Sequence, residues 1–106
     1  MTFSKKIVYV DVDDTFVRTC GTKRIPIPHV LRYLRKIYEE GAVLFCWSSG
    51  GGAYAKKSAI EFKIDSIFTG FLPKPNILID DVAIEDWRYL EQIHPNECTN
   101  TMEVEF

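Results

Sequence analysis

The sequence predicts an α/β domain built on a mainly parallel sheet. Three observations predict it. Continuous apolar runs at residues 7–10, 42–47 and 77–79 read as buried strands. Segments of helical period lie between the first two and after the second, at residues 28–41 and 53–62. Each strand with a helix between it and the next is the pattern of right-handed crossovers in a parallel sheet.

The elements follow in order. Residues 6–10 carry a β-branched run that ends at Asp11, Asp13, Asp14 and Thr15. Residues 16–27 hold Cys20-Gly21 and a proline, so they read as a loop or hairpin, with arms at 17–19 and 24–27 and a turn at Gly21. Pro28 suits the first turn of a helix. Val30, Leu34, Ile37 and Tyr38 share one face of it, and Gly41 marks its end. Residues 42–47 form the second strand, and "SSGGG" at 48–52 is a flexible junction. Ala55, Ala59 and Phe62 would face inward from the second helix. Residues 64–68 are expected as a third strand, 77–79 as a fourth, and 84–93 as a last helix. The tail "TMEVEF" alternates apolar and polar, a pattern open to an edge strand.

Length and composition bound the rest. At 106 residues the chain is expected to be one domain, residues 1–106, with one modest core. Hydrophobic residues at 46% and charged residues at 26% match a soluble globular protein. A net charge of -2 and a pI near 5.6 argue against general nucleic-acid or anionic-membrane affinity. No apolar run approaches the roughly 20 residues of a membrane span. "MTFSKK" leads into a strand without a signal-peptide pattern. Cys20, Cys46 and Cys98 are odd in number and lack metal-type spacing. Free thiols and a cytoplasmic location are therefore expected.

The chemistry gathers at strand ends. In parallel sheets ligands bind beyond the carboxyl ends of the strands. Asp11 and Asp13 follow the first strand, Ser48 and Ser49 the second, and Asp80 and Asp81 the fourth; Lys74 lies in a loop that could reach the same rim. Four carboxylates at one place repel one another unless a cation joins them. Oxygen ligands of this kind suit magnesium, which takes one or two carboxylates and keeps water or phosphate in its other positions. Ser48, the backbone N–H groups of "SSGGG" and Lys74 suit phosphate oxygens.

The ordered set resembles the haloacid dehalogenase (HAD) superfamily of phosphohydrolases. Its first motif, an apolar strand then Asp-x-Asp-x-Thr/Val, appears as "IVYVDVDDT". The second, an apolar strand ending in Ser or Thr, appears as "AVLFCWS"; the third, a lysine, as "LPKPN"; the fourth, an acidic strand end, as "ILIDD". The resemblance implies a three-layer Rossmann-like core with helices on both faces. It implies a phosphomonoester phosphatase with Asp11 as nucleophile and Asp13 as general acid and base. Ser48, Ser49 and Lys74 would hold the phosphate, and Thr15 would orient the first-motif loop. Magnesium would be held by the Asp11 carboxylate, the Asp13 main-chain carbonyl and Asp80, with Asp81 as a further acidic partner. Asp14 stands at the motif's variable position.

Family members often insert a cap after the first motif or between the second and third. Neither interval has room for one here, so a capless, open site is expected, serving a small or macromolecular phosphorylated substrate, or borrowing a lid from a second subunit. The competing reading is a catalytically weak or inactive magnesium-binding module that serves partner interaction. A response-regulator receiver domain uses similar residues in another order and requires an aspartate on a middle strand, which this chain lacks.

Overall fold

A computed structural model describes residues 5–99. Three parallel strands form the sheet: β1 (Ile7–Val10), β4 (Val43–Ser48) and β5 (Phe68–Pro73), in the order β1-β4-β5. Two further strands, β2 (Val17–Cys20) and β3 (Lys23–Pro26), make a separate antiparallel hairpin. Helix α1 (Pro28–Glu39) joins the hairpin to β4, and α2 (Gly52–Glu61) joins β4 to β5. Among the described residues no helix is long and apolar enough to cross a membrane.

Local chemistry explains these elements. Pro28 stands at the start of α1, where its missing N–H costs nothing. Val30, Tyr33, Leu34 and Ile37 then recur at helical spacing and are buried. Gly41 follows with φ +105°, a conformation that favours glycine. The hairpin turns at Gly21, φ +63°. Along β4, Leu44, Cys46 and Ser48 are buried while Val43, Phe45 and Trp47 are half-exposed. This is the period of two that a strand with one covered face requires.

The strand order decides the layering. From β1 to β4 to β5 the chain advances in one direction across the sheet. Right-handed crossovers then place both helices on the same face. Val10, Leu44 and Cys46 of that face pack with Val30 and Leu34 of α1 and Ala55 and Ala59 of α2 in one core. On the other face Tyr9 meets Phe45 at 5.4 Å and Trp47 edge-on at 4.9 Å. There Ile7 and Tyr9 remain 66% and 47% exposed. The expected helices on both faces are thus not present among the described residues, which form two layers.

Three expected elements differ. The third strand is shifted to Phe68–Pro73, because Ile64 and Ile67 are buried in a tight turn and 3-10 segment instead. The Ile64 N–H is taken by the Ala59 carbonyl at 2.9 Å. The fourth strand is absent among the described residues: 77–79 have no ladder partner there, and Ile77 and Ile79 are 80% and 94% exposed. Pro73 and Pro75 bracket the departure from β5, and three apolar residues are a short run to pair on their own. The last helix is absent too. A single 3-10 turn, Ile84–Asp86, stands in its place. A ten-residue helix is marginal without a face to dock on, and these residues lie exposed. The tail expected as an edge strand, residues 101–106, lies outside the described residues.

All three cysteines are free, with Cys46 and Cys98 buried and Cys20 exposed. Burial, with the charge of Asp11 behind it, pushes the Cys46 thiol from its ordinary 9.0 up to about 12. Between those pH values the folded state keeps a proton that the unfolded chain gives up. Its contribution to stability is complete below pH 9 and falls as pH rises toward 12, by at most about 1.4 kcal/mol per unit. Urea midpoints measured from pH 8 to 10.5 are expected to fall more steeply for wild type than for Cys46→Ala; parallel curves would refute this.

Candidate active site

The carboxyl ends of β1, β4 and β5 lie along one edge of the sheet, since the three strands are parallel. Asp11 leaves β1 there, Ser48 ends β4, and Lys74 follows β5. The loop after Asp11 is closed by the Val12 carbonyl, which accepts from the N–H groups of Thr15 and Phe16, each at 3.1 Å. Asp14 takes φ +63° in this loop, and its N–H donates to the Val17 carbonyl at 2.7 Å. Phe16 and Val12 anchor the loop in the core.

That closure aims the Asp11 carboxylate. Thr15 Oγ1 donates to Asp11 Oδ2 at 3.0 Å. On the other oxygen, Lys74 Nζ lies 3.0 Å from Asp11 Oδ1. Lys74 is itself placed through its main chain, whose N–H donates to the Ser48 carbonyl at 2.9 Å. The lysine also lies over the Trp47 ring, 5.9 Å from its centroid. Residues 63 positions apart in sequence thus meet as an ion pair at the rim, while both side chains keep about a third of their surface open to water.

Ser48 serves the turn beside it. Its hydroxyl, buried, accepts from the Gly50 N–H at 3.0 Å, and its carbonyl accepts from the Gly51 N–H at 3.0 Å. Ser49 is exposed in that turn. Gly51 then takes φ +105° as the N-cap of α2. Gly52 begins the helix so close to β5 that an added Cβ would lie 2.9 Å from the Phe71 carbonyl oxygen. The glycines therefore let the N-terminus of α2 come against the strand end, where free N–H groups favour an anion.

Asp13 points to a different set of partners. Tyr54, in the first turn of α2, donates its hydroxyl to Asp13 Oδ1 at 2.7 Å. Arg24 of β3 donates to the Tyr54 hydroxyl at 2.6 Å, to Ser58 Oγ at 2.8 Å and to Glu61 Oε1 at 3.0 Å. It also stands 3.8 Å from Asp13 Oδ1. The hydrogen bond to Tyr54 is the main cause that holds the Arg24 guanidinium above its ordinary value; partial burial opposes it and Glu61 adds to it.

Of the residues expected from sequence, Asp11, Thr15 and Lys74 are in direct contact, with Ser48 joined to Lys74 through the main chain. Among the described residues no hydrogen bond or ion pair joins Asp80 or Asp81 to them; Asp80 Oδ1 accepts from the Val82 N–H at 2.8 Å in a local turn. Among the described residues no three His, Cys, Asp or Glu side chains gather as a metal site. The joint hold of Arg24 and Tyr54 on Asp13 is not among the sequence expectations. A signal existed: Tyr54, Ser58 and Glu61 stand at i, i+4 and i+7, a polar stripe on one face of a helix.

No family model, curated protein or solved structure matches the chain.

Proposed function

We infer that the chain is a phosphomonoester phosphatase of the haloacid dehalogenase type, acting through Asp11. The observation that carries the reading is the Asp11–Lys74 pair, with Thr15 on the second carboxylate oxygen. A carboxylate held on both oxygens at the carboxyl edge of a parallel sheet is positioned to attack, and the lysine beside it suits an incoming phosphoryl oxygen. Such transfer depends mostly on positioning and charge neutralisation.

In this reading one Asp11 oxygen attacks phosphorus as the ester P–O bond breaks, forming an aspartyl-phosphate. Asp13 gives a proton to the leaving oxygen, then takes one from the water that attacks the aspartyl-phosphate. Lys74 and the N–H groups of the Ser48–Gly52 turn hold phosphoryl oxygens; Ser49, exposed there, is a further hydroxyl for them. Magnesium is part of the proposal. One carboxylate with substrate phosphate and water is enough for it, and Asp11 with the Asp13 carbonyl would hold it. Its chemistry there would be neutralisation of phosphoryl charge. The reading also takes the site to be capless, supported by the short hairpin and the single helix α2 in the two intervals where a cap would be inserted. A three-layer core belongs to the family resemblance and is not part of the described fold.

That no group of three His, Cys, Asp or Glu side chains gathers as a metal site among the described residues favours a second reading, a catalytically weak or inactive relative serving partner interaction. One experiment separates the two. Purified protein is expected to release p-nitrophenol from p-nitrophenyl phosphate with magnesium and not with EDTA, and to bind beryllium fluoride. No turnover and no beryllium fluoride binding would refute the first reading and favour the second.

A further inference from the structure

Asp13 is an exposed side chain, with 54% of its surface open to water. Packing therefore does not set its direction, yet a proton donor must hold one direction to act. The partner that sets it comes from α2. A guanidinium has donors and no lone pair, so the Tyr54 hydroxyl can only accept from Arg24. The single proton of that hydroxyl is then directed at Asp13 Oδ1. The order is fixed: Arg24 donates to Tyr54, and Tyr54 donates to Asp13.

The same guanidinium ties three elements together. Arg24 lies on β3, Tyr54, Ser58 and Glu61 on α2, and Asp13 in the loop after β1. Its charge also lies over the Tyr54 ring, 5.3 Å from the centroid. A planar fork with five N–H groups can serve these partners at once, and a lysine cannot.

We propose that Tyr54 and Arg24 are positioning residues for Asp13, forming a latch that couples the seating of the β2–β3 hairpin on α2 to the orientation of the proton-transferring carboxyl group. Oδ1 is occupied by the Tyr54 hydroxyl, so the proton that Asp13 passes to the leaving oxygen travels on Oδ2. Tyr54 keeps its own proton throughout. This inference rests on the phosphatase reading, in which Asp13 is the general acid.

The test compares two leaving groups. A phosphate ester of a simple alcohol needs its leaving oxygen protonated; p-nitrophenyl phosphate does not, because nitrophenolate leaves as the anion. In Tyr54→Phe, the single-turnover rate of phosphoryl transfer from propyl phosphate, which excludes the later hydrolysis of the aspartyl-phosphate, is expected to fall about tenfold, part of the roughly 10²–10⁴-fold that a placed general acid supplies. KM for propyl phosphate and the single-turnover release of nitrophenolate from p-nitrophenyl phosphate are expected to stay within about twofold of wild type. Equal losses on both esters would mean mere structural damage, and no loss on propyl phosphate would mean that Asp13 needs no such support; either overturns the inference while leaving the phosphatase reading intact. If wild type hydrolyses neither ester, the phosphatase reading and the catalytic half of the inference fail together. The latch is then decided by amide hydrogen exchange in Arg24→Ala, where faster exchange across residues 17–26 is expected and an unchanged rate refutes it.

Discussion

Asp11→Asn is expected to fold as wild type does and to hydrolyse p-nitrophenyl phosphate on the order of 10³-fold more slowly or worse, since a lost nucleophile is not replaced by neighbouring groups. The substitution keeps the size of the side chain. Its carboxamide oxygen can still accept one of the two hydrogen bonds that Asp11 now receives from Thr15 and Lys74. The amide has no anionic oxygen to attack phosphorus. Stability changes little, because an ion pair this open to water contributes roughly 0–1 kcal/mol. Steady-state rates beside a thermal melt check both halves. Equal rates would remove Asp11 from the chemistry; a collapsed melt would mean that the aspartate serves the fold first.

Phe16→Ala should produce the largest loss of stability. Phe16 is fully buried, 0% exposed, in the core that joins the Asp11 loop, α1 and the sheet. Its N–H bonds the Val12 carbonyl and its carbonyl takes the Ile27 N–H at 2.9 Å, so its backbone cannot move to fill the space. Truncating such a ring costs about 3–5 kcal/mol, against a total of about 5–15 kcal/mol for a domain. Urea denaturation measures it. By contrast Tyr38→Ala, on the 45% exposed side of α1, should change little. A loss below about 1 kcal/mol for Phe16→Ala would mean that the loop repacks.

These two residues also show where the sequence was legible. Strands β1 and β4, both helices and the hairpin follow from local pattern: an apolar run, a helical face starting at Pro28, a turn at Gly21. They are the elements whose own residues supply the periodicity. Strand β5 was misplaced because "FTGFLP" has a glycine and a proline where strand formers are expected, while the β-branched Ile64 and Ile67 serve a turn. The apolar residues 77–79 and 84–93 have strand and helix patterns, but pattern forms an element only where a partner surface receives it. The site divides in the same way. Asp11, Thr15, Ser48 and Lys74 sit on or beside strands that formed, and they converge. Asp80 and Asp81 follow residues 77–79, where no strand forms among the described residues. The hold of Arg24 and Tyr54 on Asp13 was hidden because it joins side chains 30 and 41 positions apart. Trp47 lies half-exposed on the open sheet face, with Tyr9 on one side and the Lys74 charge over it.

The backbone at Asp14 restricts which residues can follow it in that place. Its side chain has no role in the proposed chemistry, so by chemistry alone any residue would do. At φ +63° the chain permits a much smaller alphabet. Glycine enters without strain, and asparagine and aspartate tolerate it. A valine or isoleucine would crowd the following carbonyl at a cost of roughly 1–2 kcal/mol, and that strain would sit one peptide from the carboxyl group that must be aimed and three from the one that attacks. The position that the motif leaves open is therefore closed to β-branched residues by geometry.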